Sequence, residues 1–368
     1  MSDKKKDINC DLSCRMNKVG GQAVLEGVMM KSGDLCALSV RADGEIKTET
    51  SSFVSLRRKH KILNIPVIRG VVNMIEMFRL SFSTLSRSAE MIGVEEEEPG
   101  KFEKWLTDKF GDKLMSVVMG FAGILGVALA LLLFMYLPML ITSLLGGIVN
   151  LGGFKTLIEG VIKIAIFIAY MALVALMPDI KRTFEYHGAE HKSIACYEKG
   201  LEMTPENAKT CTRFHPRCGT SFIFVVLIIS IVVFSLPIIP WDNLLLRLGL
   251  KLLFLPVVIG LSFEFIMYAG KHDNTFTRVL SAPGLAMQKI TTKEPDLEQL
   301  EVAIASLKAA LPDEFPPENI SEDGAADENP DCRDNEAQTA FDSEENPDVP
   351  SSGDAPDASG SGDEGEEK

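Results

Sequence analysis

Within Glu185-Tyr-His-Gly-Ala-Glu-His-Lys192, His187 and His191 stand four residues apart, and Glu190 lies between them. On a helix, side chains at i and i+4 share one face, with i+3 beside them. Two imidazoles so placed are a ready pair of ligands for a divalent cation, zinc foremost. The neighbouring carboxylate can then accept a proton from water that the cation has acidified. The order is H-x-x-E-H, that of the inverted zincin motif. The chain has five histidines, and His60, His215 and His272 are the others. The bland alternative is two solvated histidines on a surface helix, with the glutamate as an ordinary neighbour.

A structural zinc takes four protein ligands, and a catalytic one takes three plus water. His215 or Cys218, from Thr210-Cys-Thr-Arg-Phe-His-Pro-Arg-Cys-Gly219, is the preferred third ligand. Cys211, His215 and Cys218 could instead form a separate structural knuckle. Cys218-Gly-Thr-Ser221 also resembles a nucleophile at a helix start, where the helix dipole favours a thiolate. Cys10-x-x-x-Cys14 has no second pair to complete it and is read as no site.

The elements that must position these groups begin with a loose segment at 1–18. Within 19–64, the apolar Val28–Met30, then Leu35–Val40 and the alternating Glu45–Thr50 read as three strands separated by turns at Lys31–Asp34 and Ala42-Asp-Gly44, which predicts a small antiparallel β-meander. Glu26 sits in its glycine-rich stretch, either an edge carboxylate or one delivered towards a site. Residues 65–94 predict an amphipathic helix, too charged to span a bilayer and suited to a membrane surface or a packed face. An acidic linker covers 95–112. From 113 to 280 there are four apolar stretches near 115–137, 157–177, 220–239 and 248–268, each close to the ~20 residues that a span needs. The second carries Glu159 and Lys163 one turn apart, a spacing that predicts a pair.

Seven Lys and Arg lie between 179 and 219, whereas the connections after the first and third stretches hold only Lys155 and Arg247. The positive-inside rule therefore puts both termini and the histidine loop in the cytoplasm, in a multi-pass protein of the plasma membrane. The opening Met-Ser-Asp-Lys-Lys-Lys is polar, without a secretory signal. Seven cysteines in a cytosol-facing chain argue against a disulfide framework. Topology brings His187, Glu190, His191, His215, Cys218, Glu264, His272 and Asp273 to a similar depth at the cytosolic membrane face. Glu264, inside a span, is a functional candidate by default. Its plain alternative is an ion pair with Lys271 or Arg182. For His272 a solvated cap is the favoured reading.

Pro283-Gly284 marks a turn within 281–312, followed by a short amphipathic helix. Asp296 can cap a last helix whose Leu297, Leu300, Ile304, Leu307 and Leu311 form a stripe. That stripe, over 296–311, packs on the domain or on a partner protein. Net charge is −14, but 20 acidic against two basic residues from 313 to 368 put −18 in the tail and leave +4 elsewhere. The tail lacks the apolar residues to fold and reads as disordered. No basic patch interleaved with aromatics appears, so a nucleic-acid role has no support.

The chain resembles the YqhQ-like bacterial membrane proteins, a family described as metal-dependent enzymes by prediction. The resemblance rests on Gly20-Gly-Gln-Ala-Val-Leu-Glu-Gly-Val-Met-Met30, Tyr186-His-Gly-Ala-Glu-His-Lys192, His215-Pro-Arg-Cys-Gly-Thr-Ser-Phe222, and Pro283-Gly284 with Gln288 and Thr291-Thr-Lys-Glu-Pro295. It covers residue 19 to about 301. It implies an integral membrane protein and a metal site at His187, Glu190, His191, His215 and Cys218, and it raises Glu26 as a site residue. It supplies no substrate.

The combined expectation is a helical membrane protein of about four spans with a metal-dependent hydrolase site at the cytosolic surface. His187 and His191 bind the metal, His215 or Cys218 completes the set, and Glu190 is the general base. The substrate would be a membrane-associated amide, ester or phosphoester. The alternatives are a membrane scaffold with a structural metal and, more weakly, a metal or small-solute transporter.

Overall fold

The structure, a computed structural model, describes residues 15, 16, 18–93, 112–215, 218–236, 243–272 and 274–316. The expectations for Asp273, for the 95–112 linker, for the tail past 316 and for nearly all of the 1–18 segment lie outside these residues.

Four strands form an antiparallel meander in chain order: β1 Gly20–Val24, β2 Gly27–Ser32, β3 Leu35–Ala42 and β4 Glu45–Ser52. β1 was not expected as a strand. Its sequence, GGQAV, is poor in β-formers, and its pairing with β2 holds it extended. The central strands are apolar on both faces because both are covered. Val28, Met30 and Ala37 pack against Tyr186, Ala189, Leu300, Ile304 and Leu307. Met29, Cys36, Leu38 and Val40 pack against Leu80 of α1 (Ile68–Met91), the amphipathic helix.

α1 turns its small polar residues inward. Asn73, Glu76, Thr84 and Ser88 are buried, whereas Ile68, Ile75, Phe78, Phe82 and Leu85 are exposed. The inner polar groups have partners: Glu76 accepts from Ser55 Oγ at 2.8 Å and from the Leu56 N–H, and Gln22 bonds Ser81 and Thr84.

Among the described residues, three helical stretches are long and apolar enough to cross a membrane: Phe121–Ile148, Gly152–Val174 and Leu244–Ala269. The first was expected to stop at Pro138. Instead α2 (Asp112–Leu131) runs through a π-helical turn, Leu132–Tyr136, into α3 (Leu137–Ile148). Proline lacks an N–H and its ring crowds the preceding turn, and a wide π turn is one way for a helix to absorb both. α4 is Lys155–Val174. Of the four expected spans, the third is α7, Gly219–Phe234, which at 16 residues is shorter than the others.

α5 (Pro178–Glu198) carries the histidine motif, and the short α6 (Pro205–Thr210) follows. α8 (Leu244–Lys271) leads to α9 (Thr275–Thr291). Pro283 and Gly284, expected in a turn, lie inside α9. Gly284 is where α9 meets α7, since a Cβ there would sit 2.6 Å from Ser221 Cα. α10 (Leu297–Ala310) is capped as expected, with Asp296 and Gln299 in a reciprocal capping box. Leu300, Ile304, Leu307 and Leu311 are buried within the chain, and Leu297 is exposed.

Candidate functional site

The chemistry-bearing side chains come from three places along the chain. α5 supplies His187, Glu190 and His191 on adjoining faces. Cys218 is the N-cap of α7. The extended residues before it, including Arg213 and His215, run alongside α5, and the end of α9 closes the other side. The available ligand atoms of His187, His191 and Cys218 lie within 4.8 Å of one another.

The orientation of both imidazoles is fixed from behind. His187 Nδ1 donates to the Thr291 carbonyl at 2.8 Å, and His191 Nδ1 donates to the Arg213 carbonyl at 2.6 Å. A carbonyl can only accept, so each Nδ1 carries the hydrogen and each Nε2 keeps its lone pair. His187 Nε2 faces Cys218 Sγ at 3.2 Å. The thiol also lies 3.3 Å from Thr220 Oγ1. The two rings meet edge-on at 4.5 Å between centroids. Burial holds the His191 pKa below its usual value, which keeps the ring neutral and able to donate a lone pair.

Glu190 is buried, and its Oε2 has no hydrogen-bond partner among the described residues. Burial raises its pKa to about 7, against a smaller lowering effect from His187. Its side chain lies towards β1: a Cβ built on Gly21 would come within 3.2 Å of Glu190 Cγ. Glu190 is thus beside the His and Cys cluster without belonging to it.

The other expected residues divide clearly. His215 stands next to His191, ring centroids 5.6 Å apart, but is outside the 4.8 Å grouping. Its Nε2 is 3.6 Å from Glu198 Oε2. Glu26 is exposed to solvent in part and joins Arg182, five residues before His187 on α5, and Tyr186, which immediately precedes it. It occupies a left-handed conformation, φ +48°, in the two-residue turn between β1 and β2. That conformation costs a non-glycine residue about 1–2 kcal/mol. Glu264 does not pair with Arg182, which holds Glu26 instead, and the Lys271 side chain lies outside the described residues. Both Glu264 oxygens hold Arg69 at the start of α1, at 2.7 and 2.8 Å, and Glu264 accepts the Val67 N–H. His272 is exposed, stacked on Tyr268 and bonded within its own helix end.

Three contributors were missed in the sequence. The Thr291 and Arg213 carbonyls are backbone groups and have no side-chain signature. Gln288 is fully buried and brackets the backbone of His215, accepting its N–H at 2.8 Å and donating to its carbonyl at 2.7 Å. It also donates to Ser221 Oγ at 3.2 Å, which ties α9 to α7.

The family model described as "Protein of unknown function (DUF1385)" matches residues 65–313. The chain is also similar to the uncharacterized protein YqhQ of Bacillus subtilis (strain 168), with 36% identity over 299 residues, covering 79% of this chain and 92% of that one. No solved structure matches. A family match over most of the chain, with a relative aligned along nearly its whole length, makes the chain a member of the DUF1385, YqhQ-like family.

Proposed function

We propose that the protein is a membrane-embedded, metal-dependent hydrolase with its centre at His187, His191 and Cys218. The observation that carries this reading is the fixed tautomer of the two imidazoles. Each Nδ1–H is tied to a backbone carbonyl, and both rings belong to the cluster that Cys218 completes. Outer hydrogen bonds of this kind are the usual support of metal-binding histidines. Two nitrogens and a thiolate fit zinc, and three protein ligands leave the fourth position open, as in catalytic sites. Bond lengths of about 2.1 and 2.3 Å in a tetrahedron put N and S about 3.6 Å apart. The 3.2 Å between His187 Nε2 and Cys218 Sγ is close to that span.

When bound, a divalent cation polarises a carbonyl or phosphoryl oxygen and acidifies water. Glu190, next to the cluster with an oxygen free of partners, is the group that would take up the proton. His187 and His191 hold their orientation throughout. His215 supports the neighbouring segment and is not assigned as a ligand.

The test separates metal binding from chemistry. Glu190→Gln is expected to keep the metal, read by plasma mass spectrometry of the purified protein. Membranes of cells carrying it should accumulate the same unprocessed compound as membranes of cells lacking the protein. A variant indistinguishable from wild type in such extracts would leave only a structural metal, the scaffold alternative. A second reading has the short His187–Cys218 contact behind it: a thiol nucleophile at a helix N-terminus with His187 as its base. Cys218→His discriminates, because it can still donate to a metal but cannot attack a substrate.

The membrane setting has separate support. The three long apolar helices and the exposed stripe Ile68, Ile75, Phe78, Phe82 and Leu85 place apolar surface on neighbouring elements. Arg69 and Gly70 tie the start of α1 to Glu264 and Phe263 of α8, so the stripe begins within the layer where α8 ends. α1 then lies along the cytosolic headgroup region, Phe side down. A single tryptophan at Phe82, with Trp105 and Trp241 changed to Phe, is expected to be strongly quenched by brominated acyl chains in reconstituted vesicles. One at Lys47 is not. Equal quenching at both positions, or none at Phe82, would place α1 away from the bilayer.

A further inference from the structure

Far from the histidines along α4 and α8 lies a second cluster of charge. Glu159 and Lys163 of α4 and Arg247 and Lys251 of α8 are all buried. Sequence spacing predicts a Glu159–Lys163 pair, but the two Glu159 oxygens are held by Arg247 and Lys251. The Lys163 ammonium instead lies over the Phe234 ring at 5.5 Å, a ring that Lys251 shares at 5.4 Å. Among the described residues, three cations therefore converge on one carboxylate. Asp242, the next acid in sequence, is outside them.

At 1.5 Å per residue, Glu159 and Lys163 lie about 6 and 12 Å beyond the first residue of α4, and Arg247 and Lys251 about 4.5 and 10.5 Å beyond that of α8. Both helices start at the end of the bundle opposite α5. On the reading of α4 and α8 as spans, the cluster is at the headgroup-to-acyl boundary of the outer leaflet. Charge is costly there, and an ionisable side chain inside a span is a functional-site candidate by default. A guanidinium fork with two ammoniums matches the oxygens of a phosphate group.

We infer that Lys163, Arg247 and Lys251 form a binding site for a phosphate group between α4 and α8, with Glu159 as the internal carboxylate that the ligand displaces or joins. The phosphate belongs either to an anionic phospholipid or to a soluble phosphate compound. The inference rests on the membrane reading and is independent of the metal centre.

Full-length protein in detergent is titrated with phosphatidylglycerol or phosphatidylcholine, and separately with inorganic phosphate against chloride at equal ionic strength. Native mass spectrometry counts bound lipid, and Tm reports stabilisation. The expected preference for the anionic species is about fivefold or more, weakened about fivefold by Lys163→Met and strengthened by Glu159→Gln. A response to phosphatidylglycerol alone identifies a lipid headgroup, and a response to phosphate alone identifies a soluble ligand. No preference in the wild type overturns the site, as does a shift in the same direction by both variants. The wild-type comparison decides wherever a variant lacks a cooperative melt. The metal content is unchanged in either case, so failure here leaves the hydrolase reading intact.

Discussion

Purified from metal-replete cells, the protein is expected to carry one transition-metal ion per chain, and His187→Ala, His191→Ala and Cys218→Ala are each expected to lose it. His215→Ala is expected to keep it. Removing even an outer partner of a metal ligand commonly costs 10- to 100-fold in affinity, so loss of a ligand from a three-ligand set should exceed about a hundredfold. The contrast with His215 is the informative part. Its ring faces Glu198, and Gln288 holds its backbone, which alanine retains. Metal content by mass spectrometry and a zinc-competition titration check both halves. A wild type free of transition metal would remove the proposed centre. A metal-free His215→Ala alongside metal-bound Cys218→Ala would show that the wrong third ligand is assigned.

Gly188→Ala is expected to be among the most destabilising single substitutions in the chain. A Cβ at Gly188 would lie 2.0 Å from the Lys293 carbonyl oxygen, a backbone atom with no rotamer to change. The extended segment after α9 is fixed there, since the Lys293 N–H donates to the Phe184 carbonyl at 2.8 Å. Overpacking of this kind costs about 1–3 kcal/mol, and occasionally more, with the upper end expected where backbone must move. The backbone that moves is two residues from Thr291, whose carbonyl orients His187, so metal affinity should fall together with Tm. Gly219→Ala is the control, because a Cβ there meets nothing within 4 Å. Equal melting temperatures for the two variants would mean that α5 and this segment are not closely packed.

The legible part of the site was local. His187, Glu190 and His191 share one helix, and helical spacing alone placed them together. Topology brought Cys218 and His215 equally close, because both directly precede an apolar helix, and it left the choice between them open. What could not be read was contact across long separations. Arg69 and Glu264 are almost 200 residues apart, and nearer basic residues looked like equally good partners. Glu159 and Lys163 have the right spacing for a pair, but hydrogen bonds to the carboxylate come from two cations of another helix, which spacing along one helix cannot show. Proline also misled. Pro138 and Pro283 were read as breaks, yet one follows a π turn and the other lies within α9. The stripe on α10 left two readings open, and the buried Leu300 and Leu307 choose packing within the chain.

The two carbonyls behind the histidines have a temporal meaning. During synthesis α5 leaves the ribosome about a hundred residues before Thr291, and a growing chain folds in the order in which it emerges. Until α9 has emerged, His187 has nothing to fix its tautomer and Gln288 cannot grip residue 215. Premature termination between Cys218 and that point would yield a polypeptide with every cluster side chain present and the pocket still unformed. Competence is thus withheld until α9 has been made.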